Sequence, residues 1–160
     1  MSGTSFDGVD AALIKTDGKD YIEFINSEFL PFSKKEKTLY KVSVLKNFNF
    51  LTKAIDRRHI EVIKKLLAKT NLENSHIDLI GLHGQTLFHR PEQKWSWQYI
   101  NIKKFTREFR TNIISDFRLQ DINNGGDGAI REFVDTIVNP PQSTFQKLRL
   151  EVKNEIMYQI

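Results

Sequence analysis

Two periods of apolar residues divide the chain. The apolar run Ala11-Ala12-Leu13-Ile14 marks residues 10–15 as one strand, and alternation at every second position marks residues 21–29 as another, with Ile22, Phe24 and Asn26 on one face. Asp17-Gly18 between them is a turn signal, and Pro31 ends the second run. The pattern predicts antiparallel strands. Ser33 then stands as N-cap to a charged helical stretch over 34–45, which Asn47–Asn49 interrupts. A period of 3.6 follows: Ile55, His59, Val62, Ile63, Leu66 and Leu67 share one helical face, with Lys and Arg opposite. His59 lies within that apolar face and reads as a packed structural histidine, not a ligand. Residues 77–82 (Ile-Asp-Leu-Ile-Gly-Leu) form an aliphatic run of the kind that buried central strands carry. A short strand or turn at 95–100 comes next. After it the pattern gives a helix over 101–110 with Ile102, Phe105 and Phe109 inward, then a buried strand over 111–115.

Polar, glycine-bearing segments sit at the ends of these runs, and three of them carry candidate chemistry. The first opens the chain: Met1-Ser2-Gly3-Thr4-Ser5-Phe6-Asp7-Gly8-Val9-Asp10. Gly3 and Gly8 let the backbone bend and approach a ligand, and Thr4 and Ser5 bring hydroxyls beside their own amides, suited to phosphate oxygens. Asp7 repels phosphate but can hold a magnesium ion, directly or through water. The bland alternative is a hairpin turn, because Asp-Gly is the commonest turn pair. The second segment, His83-Gly84-Gln85-Thr86 and then Leu87-Phe88-His89-Arg90-Pro91, follows the aliphatic run. Its donors and acceptors suit sugar hydroxyls or phosphate at the carboxyl end of a strand, or make an ordinary polar loop. The third is Asp116-Phe117-Arg118, followed by a glycine-rich turn over 121–129. A carboxylate at a strand tip beside an arginine stays ionised and can act as general base, or it is half of a surface ion pair.

Composition narrows the classes. With 39% apolar residues and 12 Phe, the chain suits one folded domain with a real core. Zero cysteines exclude a disulfide scaffold and thiolate chemistry and fit a reducing cytosol. No apolar run approaches the ~18 residues of a membrane span and no signal-peptide pattern opens the chain, so the expected location is cytoplasmic. The net charge of +4 is spread in mixed company with Asp and Glu, which points to solubility and away from nucleic acid.

Taken together, Met1–Asp10, Gly81–Pro91 and Asp116–Ala129 resemble the corresponding blocks of the anhydro-N-acetylmuramic acid kinases, members of the actin-like and hexokinase-like ATPase superfamily. The resemblance covers roughly residues 1–129. It implies an α/β, ribonuclease H-like mixed sheet flanked by helices, with a three-strand antiparallel start and parallel strands later. It also implies an ATP-dependent kinase that opens the anhydro bond of 1,6-anhydro-N-acetylmuramic acid with water. The 6-oxygen is phosphorylated, giving N-acetylmuramic acid 6-phosphate for cell-wall sugar recycling. By that similarity Gly3, Thr4, Ser5, Phe6, Asp7, Gly8, Val9 and Asp10 form the ATP phosphate loop, with Mg2+ as cofactor. Asp116 is then the base on the attacking water, and His83, Gln85, Thr86 and Arg118 lie toward the sugar.

Several features depart from the family pattern. Its members run longer, with a second domain, and usually have a first strand before the Met-Ser-Gly-Thr-Ser loop. The family's Gln-Ile-Gly-Asp-Gly is here Gln98-Tyr99-Ile100-Asn101-Ile102, and its Gly-Gln-Gly-Ala-Pro-Leu-Val-Pro is here Gly126-Asp127-Gly128-Ala129-Ile130-Arg131-Glu132-Phe133. Residues 130–160 read as a divergent tail outside the resemblance. The expectation is therefore one lobe of a two-domain kinase as a truncated chain, of marginal stability and weak or absent turnover. Its alternatives are a non-catalytic remnant, or a half-subunit that binds nucleotide or sugar and pairs with a separately encoded second lobe.

Overall fold

A computed structural model describes residues 2–90, 93 and 95–117; Arg118, the glycine-rich turn and the expected boundary at 129/130 lie outside them. The chain begins with strands β1 (Gly8–Thr16) and β2 (Ile22–Pro31), paired antiparallel from Gly8↔Pro31 to Thr16↔Ile22 with a bulge between Leu13 and Ile14. Their turn is built as its sequence dictates. The Asp17 carboxylate accepts from the amides of Lys19 (2.9 Å) and Tyr21 (3.1 Å), and Gly18 takes the left-handed conformation at φ 74°. Only the near end of this hairpin is buried, through Val9 and Leu30. Of the predicted strand face, Phe24 is 65% and Ile22 48% exposed while Asn26 is half-buried, so that face is covered only toward the Leu30 end of the strand.

Helix α1 (Lys34–Lys46) starts at Ser33 with a complete capping box: the Ser33 hydroxyl accepts from the Glu36 amide, and Glu36 accepts from the Ser33 amide. The expected break at 47–49 narrows to one residue. Asn47 ends α1 and caps α2 (Phe48–Thr70), its side chain accepting from the Phe50 amide at 3.1 Å. One face of α2 forms the molecule's spine. Leu51, Ala54, Ile55 and Val62 pack with Phe6, Val9, Leu30, Phe32, Tyr40 and Leu87, and each fully buried aliphatic there contributes roughly 1.5–3 kcal/mol. His59 is buried on that face, as its position predicts.

After a 3-10 turn (Asn74–His76) come β3 (Leu79–Gly81), β4 (Gln85–Arg90), β5 (Trp95–Tyr99), α3 (Ile102–Phe109) and β6 (Asn112–Ile114). β3 and β6 pair parallel, and β4 and β5 antiparallel. The 77–82 and 111–115 strands are shorter than predicted and are not buried on both faces, Leu79 being 51% exposed. The segment after His83-Gly84 is a strand where a loop is expected, because β5 supplies its ladder from Gln85↔Tyr99 to Arg90↔Trp95. Trp97 stacks between Phe88 (5.9 Å) and Phe48 (5.3 Å), fixing this hairpin to the start of α2. In α3, Phe105 and Phe109 reach a second core with Leu82, while Ile102 stays 39% exposed.

The described strands thus form three two-stranded sheets, β1-β2, β3-β6 and β4-β5, in a mixed α/β arrangement. The antiparallel start has two described strands in place of three, since the chain enters α1 directly after β2.

Candidate active site

The opening segment is a tight loop tied at both ends. The Phe6 amide donates to the Gly3 carbonyl (3.2 Å), closing a turn whose middle residues, Thr4 and Ser5, are exposed. Phe6 takes a left-handed φ of 55° and drives its ring into the main core, where it meets Tyr40 at 6.3 Å. Core burial is what offsets the backbone strain of a bulky residue in that conformation. Ser2 is buried: its hydroxyl hydrogen-bonds the Gly8 carbonyl (2.8 Å) and Gln85 Oε1 (2.5 Å). Gln85 Nε2 donates to the Gly3 carbonyl (2.6 Å), and the Thr86 amide to the Ser2 carbonyl (3.1 Å). The two glycines therefore differ. A Cβ on Gly3 meets nothing nearer than Ser5 Oγ at 3.8 Å, leaving an open backbone face. A Cβ on Gly8 lies 2.5 Å from the Leu30 carbonyl, so that glycine is demanded by strand packing and not by a ligand. Asp7-Gly8 is no hairpin turn, for Gly8 already belongs to β1. Phe6 and Val9 are buried, so their side chains face the core.

Asp7 is exposed and forms an ion pair with Lys37 of α1, whose hydrogen bond, with one from Ser5, holds the carboxyl below the usual range. Among the described residues there is no cluster of three or more His, Asp or Glu able to hold a metal ion. The donor set at Gly3–Ser5, hydroxyls and an open backbone face, fits phosphate oxygens. A lone Asp7 beside a lysine fits magnesium only through water.

The second segment turns sharply. Gly84 has φ 71°, and a Cβ there lies 2.6 Å from the Tyr99 carbonyl, so both conformation and space demand glycine. His83 is half-buried, with Nδ1 3.1 Å from the Gly84 carbonyl. Gln85 and Thr86, expected to face a ligand, are 0% and 1% exposed, and the Gln85 side chain is spent on Ser2, Gly3 and the Thr86 carbonyl. They tie the opening loop to the histidine turn.

Asp116 follows β6, is exposed, takes a left-handed φ of 68° that Asp tolerates, and accepts from the Ser115 hydroxyl at 3.3 Å. The β3–β6 ladder continues one step as the Leu82 amide donates to the Ile114 carbonyl at 2.7 Å. His83 and Asp116 therefore leave two neighbouring parallel strands at the same, carboxyl-terminal end, the end at which α/β sheets bind ligands. The Ser2–Gln85 bridge hangs the opening loop beside them. A cleft of about 400 Å³ between β1 and β3 is lined by Asp10, His59 and His83 among others; Asp7 and Asp116 are not part of its wall. The ties of Ser2 and Lys37 are not legible in sequence. Ser2 stands inside the opening motif, but Lys37 is one of many lysines.

A family model described as anhydro-N-acetylmuramic acid kinase matches residues 1–149. Among curated proteins, the anhydro-N-acetylmuramic acid kinase of Zymomonas mobilis is 33% identical over 143 residues, 81% of this chain and 39% of that protein. Proteins of the same name from Rhizorhabdus wittichii and Bradyrhizobium diazoefficiens are each 33% identical, with 81% of this chain and 38% of theirs covered. The chain spans about two fifths of the length of the curated relatives it matches.

Proposed function

The chain belongs to the anhydro-N-acetylmuramic acid kinase family, and from that premise we propose that it serves ATP-dependent ring opening and phosphorylation of 1,6-anhydro-N-acetylmuramic acid, as a ribonuclease H-like lobe of an actin-like and hexokinase-like kinase. The observation that carries the reading is the shared strand end. Parallel β3 and β6 put His83 and Asp116 side by side, and the Ser2–Gln85 tie brings the opening loop to them.

In this reading the hydroxyls of Thr4 and Ser5 and the open face at Gly3 receive phosphate oxygens. Asp7 meets a magnesium ion through water, and that ion supplies neutralisation of phosphate charge. His83 and, outside the described residues, Arg118 take the sugar side; Gln85 and Thr86 act there through the backbone they hold. Asp116 accepts a proton from a water whose oxygen bonds to C1 as the C1–O6 bond breaks. O6 keeps that electron pair and bonds to the γ-phosphorus while ADP leaves. Catalysis rests on orientation, which alone can contribute ~7–11 kcal/mol. The substrate sugar and ATP are the small-molecule partners, and a second lobe completes the cleft. A second reading, binding of nucleotide or sugar without turnover, is favoured by the exposure of Asp116 and the pairing of Asp7 with Lys37.

A coupled assay for ADP release with the anhydro sugar tests the proposal. The expected result is weak turnover that Asp116→Asn abolishes while ATP binding by calorimetry is unchanged. Binding of either ligand with no turnover selects the second reading, and binding of neither sinks both.

A further inference from the structure

Asp56, on α2, is an acid that the proposed chemistry does not use, and it is 3% exposed. Its Oδ2 accepts from Lys104 Nζ at 3.4 Å, and its Oδ1 has no hydrogen-bond partner among the described residues. One long contact to a partly exposed lysine does not repay the desolvation of a carboxylate. The charge has a second use at the start of α3. That helix carries Lys103 and Lys104 in its first turn and no acid, the reverse of what its dipole favours. Asp56 supplies the missing negative charge from α2. Burial pushes its carboxyl up, while Lys104, the Asn101 amide and the Tyr99 hydroxyl pull it back toward the ionised form.

Residues 99–101, which this carboxylate faces, are the wall on which the histidine turn is built. Tyr99 pairs with Gln85 across the β4–β5 ladder. At Gly84 a Cβ would lie 2.6 Å from the Tyr99 carbonyl and 3.0 Å from Ile100 Cβ, so the turn closes directly on this junction. Ile100 also packs on the second core, which holds Leu82. Leu82 and Gly84 are the two neighbours of His83, so a shift of the junction reaches the histidine from both sides. We propose that Asp56 is a positioning residue for His83: its carboxylate anchors residues 99–101, and these fix the turn that orients the imidazole at the sheet end. Asp56 itself touches no ligand, and its effect on a sugar rests on the kinase reading, in which His83 takes the sugar side.

The test compares the whole chain with its Asp56→Asn variant, which keeps the side-chain shape and removes the charge. Imidazole signals are followed by NMR, and the anhydro sugar and ATP are titrated separately by calorimetry. The expected result is that the His83 ring signals move or split while those of His76 and His89 stay. The sugar then binds at least about tenfold more weakly and ATP equally well. Adding Lys104→Glu to Asp56→Asn returns an acid to the first turn of α3 and is expected to restore both readouts. The proposal is overturned by His83 signals that do not change in Asp56→Asn, or that do not recover in the double variant. Equal movement of His76 and His89 also overturns it, as general loosening. If Asp56→Asn does not fold, the double variant decides: native His83 signals support the proposal, and displaced signals or a second failure to fold overturn it. If the unaltered chain binds no sugar, the kinase reading fails and the His83 signals alone decide the inference.

Discussion

Gly84 shows how much one position can hold. Its φ of 71° disfavours any side chain, and a Cβ there meets the Tyr99 carbonyl at 2.6 Å, so Gly84→Ala has neither the conformation nor the space. The expected loss is about 2 kcal/mol or more in chemical denaturation, with His83 displaced from the sheet end. Gln85 is the complementary case. It is fully buried and joins Ser2 to Gly3, so Gln85→Leu leaves the Ser2 hydroxyl with the Gly8 carbonyl alone and the Gly3 carbonyl with the Phe6 amide alone, and unties the loop from the histidine turn. A loss of roughly 2–3 kcal/mol is expected, together with faster amide exchange in the opening loop. Asp7 can be read without turnover. Lys37→Met removes the hydrogen bond that most lowers its carboxyl, so the Asp7 pKa measured by NMR should rise toward the ordinary aspartate value.

Among elements, α1 depends most on its cap. The box between Ser33 and Glu36 satisfies amides that the first turn cannot, and the Ser33 amide is the main reason the Glu36 carboxyl is drawn down to about 2, with Arg58 assisting. Ser33→Ala should cost about 1 kcal/mol of stability. Both this cap and the apolar stripe of α2 were legible in sequence, because a helix is specified by residues three and four apart. The strands after His76 were less so. A polar segment after residue 82 was visible, but the strand character of Gln85–Arg90 comes from a partner across Trp95–Tyr99, and the exposure of Leu79 follows from what does not pack on it among the described residues.

At the scale of the molecule, His59 links packing to pH. Burial pushes its imidazole down to about 4, so between about 4 and the unfolded value near 6.5 the unfolded chain binds a proton that the folded chain refuses. Stability on this account is complete above about pH 6.5 and falls on acidification toward pH 4, by at most about 3 kcal/mol. Denaturant titrations at pH 7 and pH 5 should show the drop, and His59→Phe should flatten it; Glu36 acts only below about 4.5, so the windows separate. Among the described residues the strands pair only two by two, with less cross-sheet pairing than one continuous sheet supplies, and a cooperative melt below about 65 °C is expected.

Local order was written in the chain: the Asp17-Gly18 turn, the Ser33 cap, the 3.6 period around His59 and the three polar segments at strand ends all depend on neighbours within a few positions. The tertiary structure alone decided which of those segments meet. It spent Gln85 and Thr86 on holding the loop, turned Asp7 to Lys37, set Asp10 and His83 in one cleft, and gave His83 and Asp116 a common sheet end. The reason is that a strand's register and a buried amide's partner are fixed by residues tens of positions away, Ser2 and Gln85 being 83 apart, and no local period encodes such a pairing.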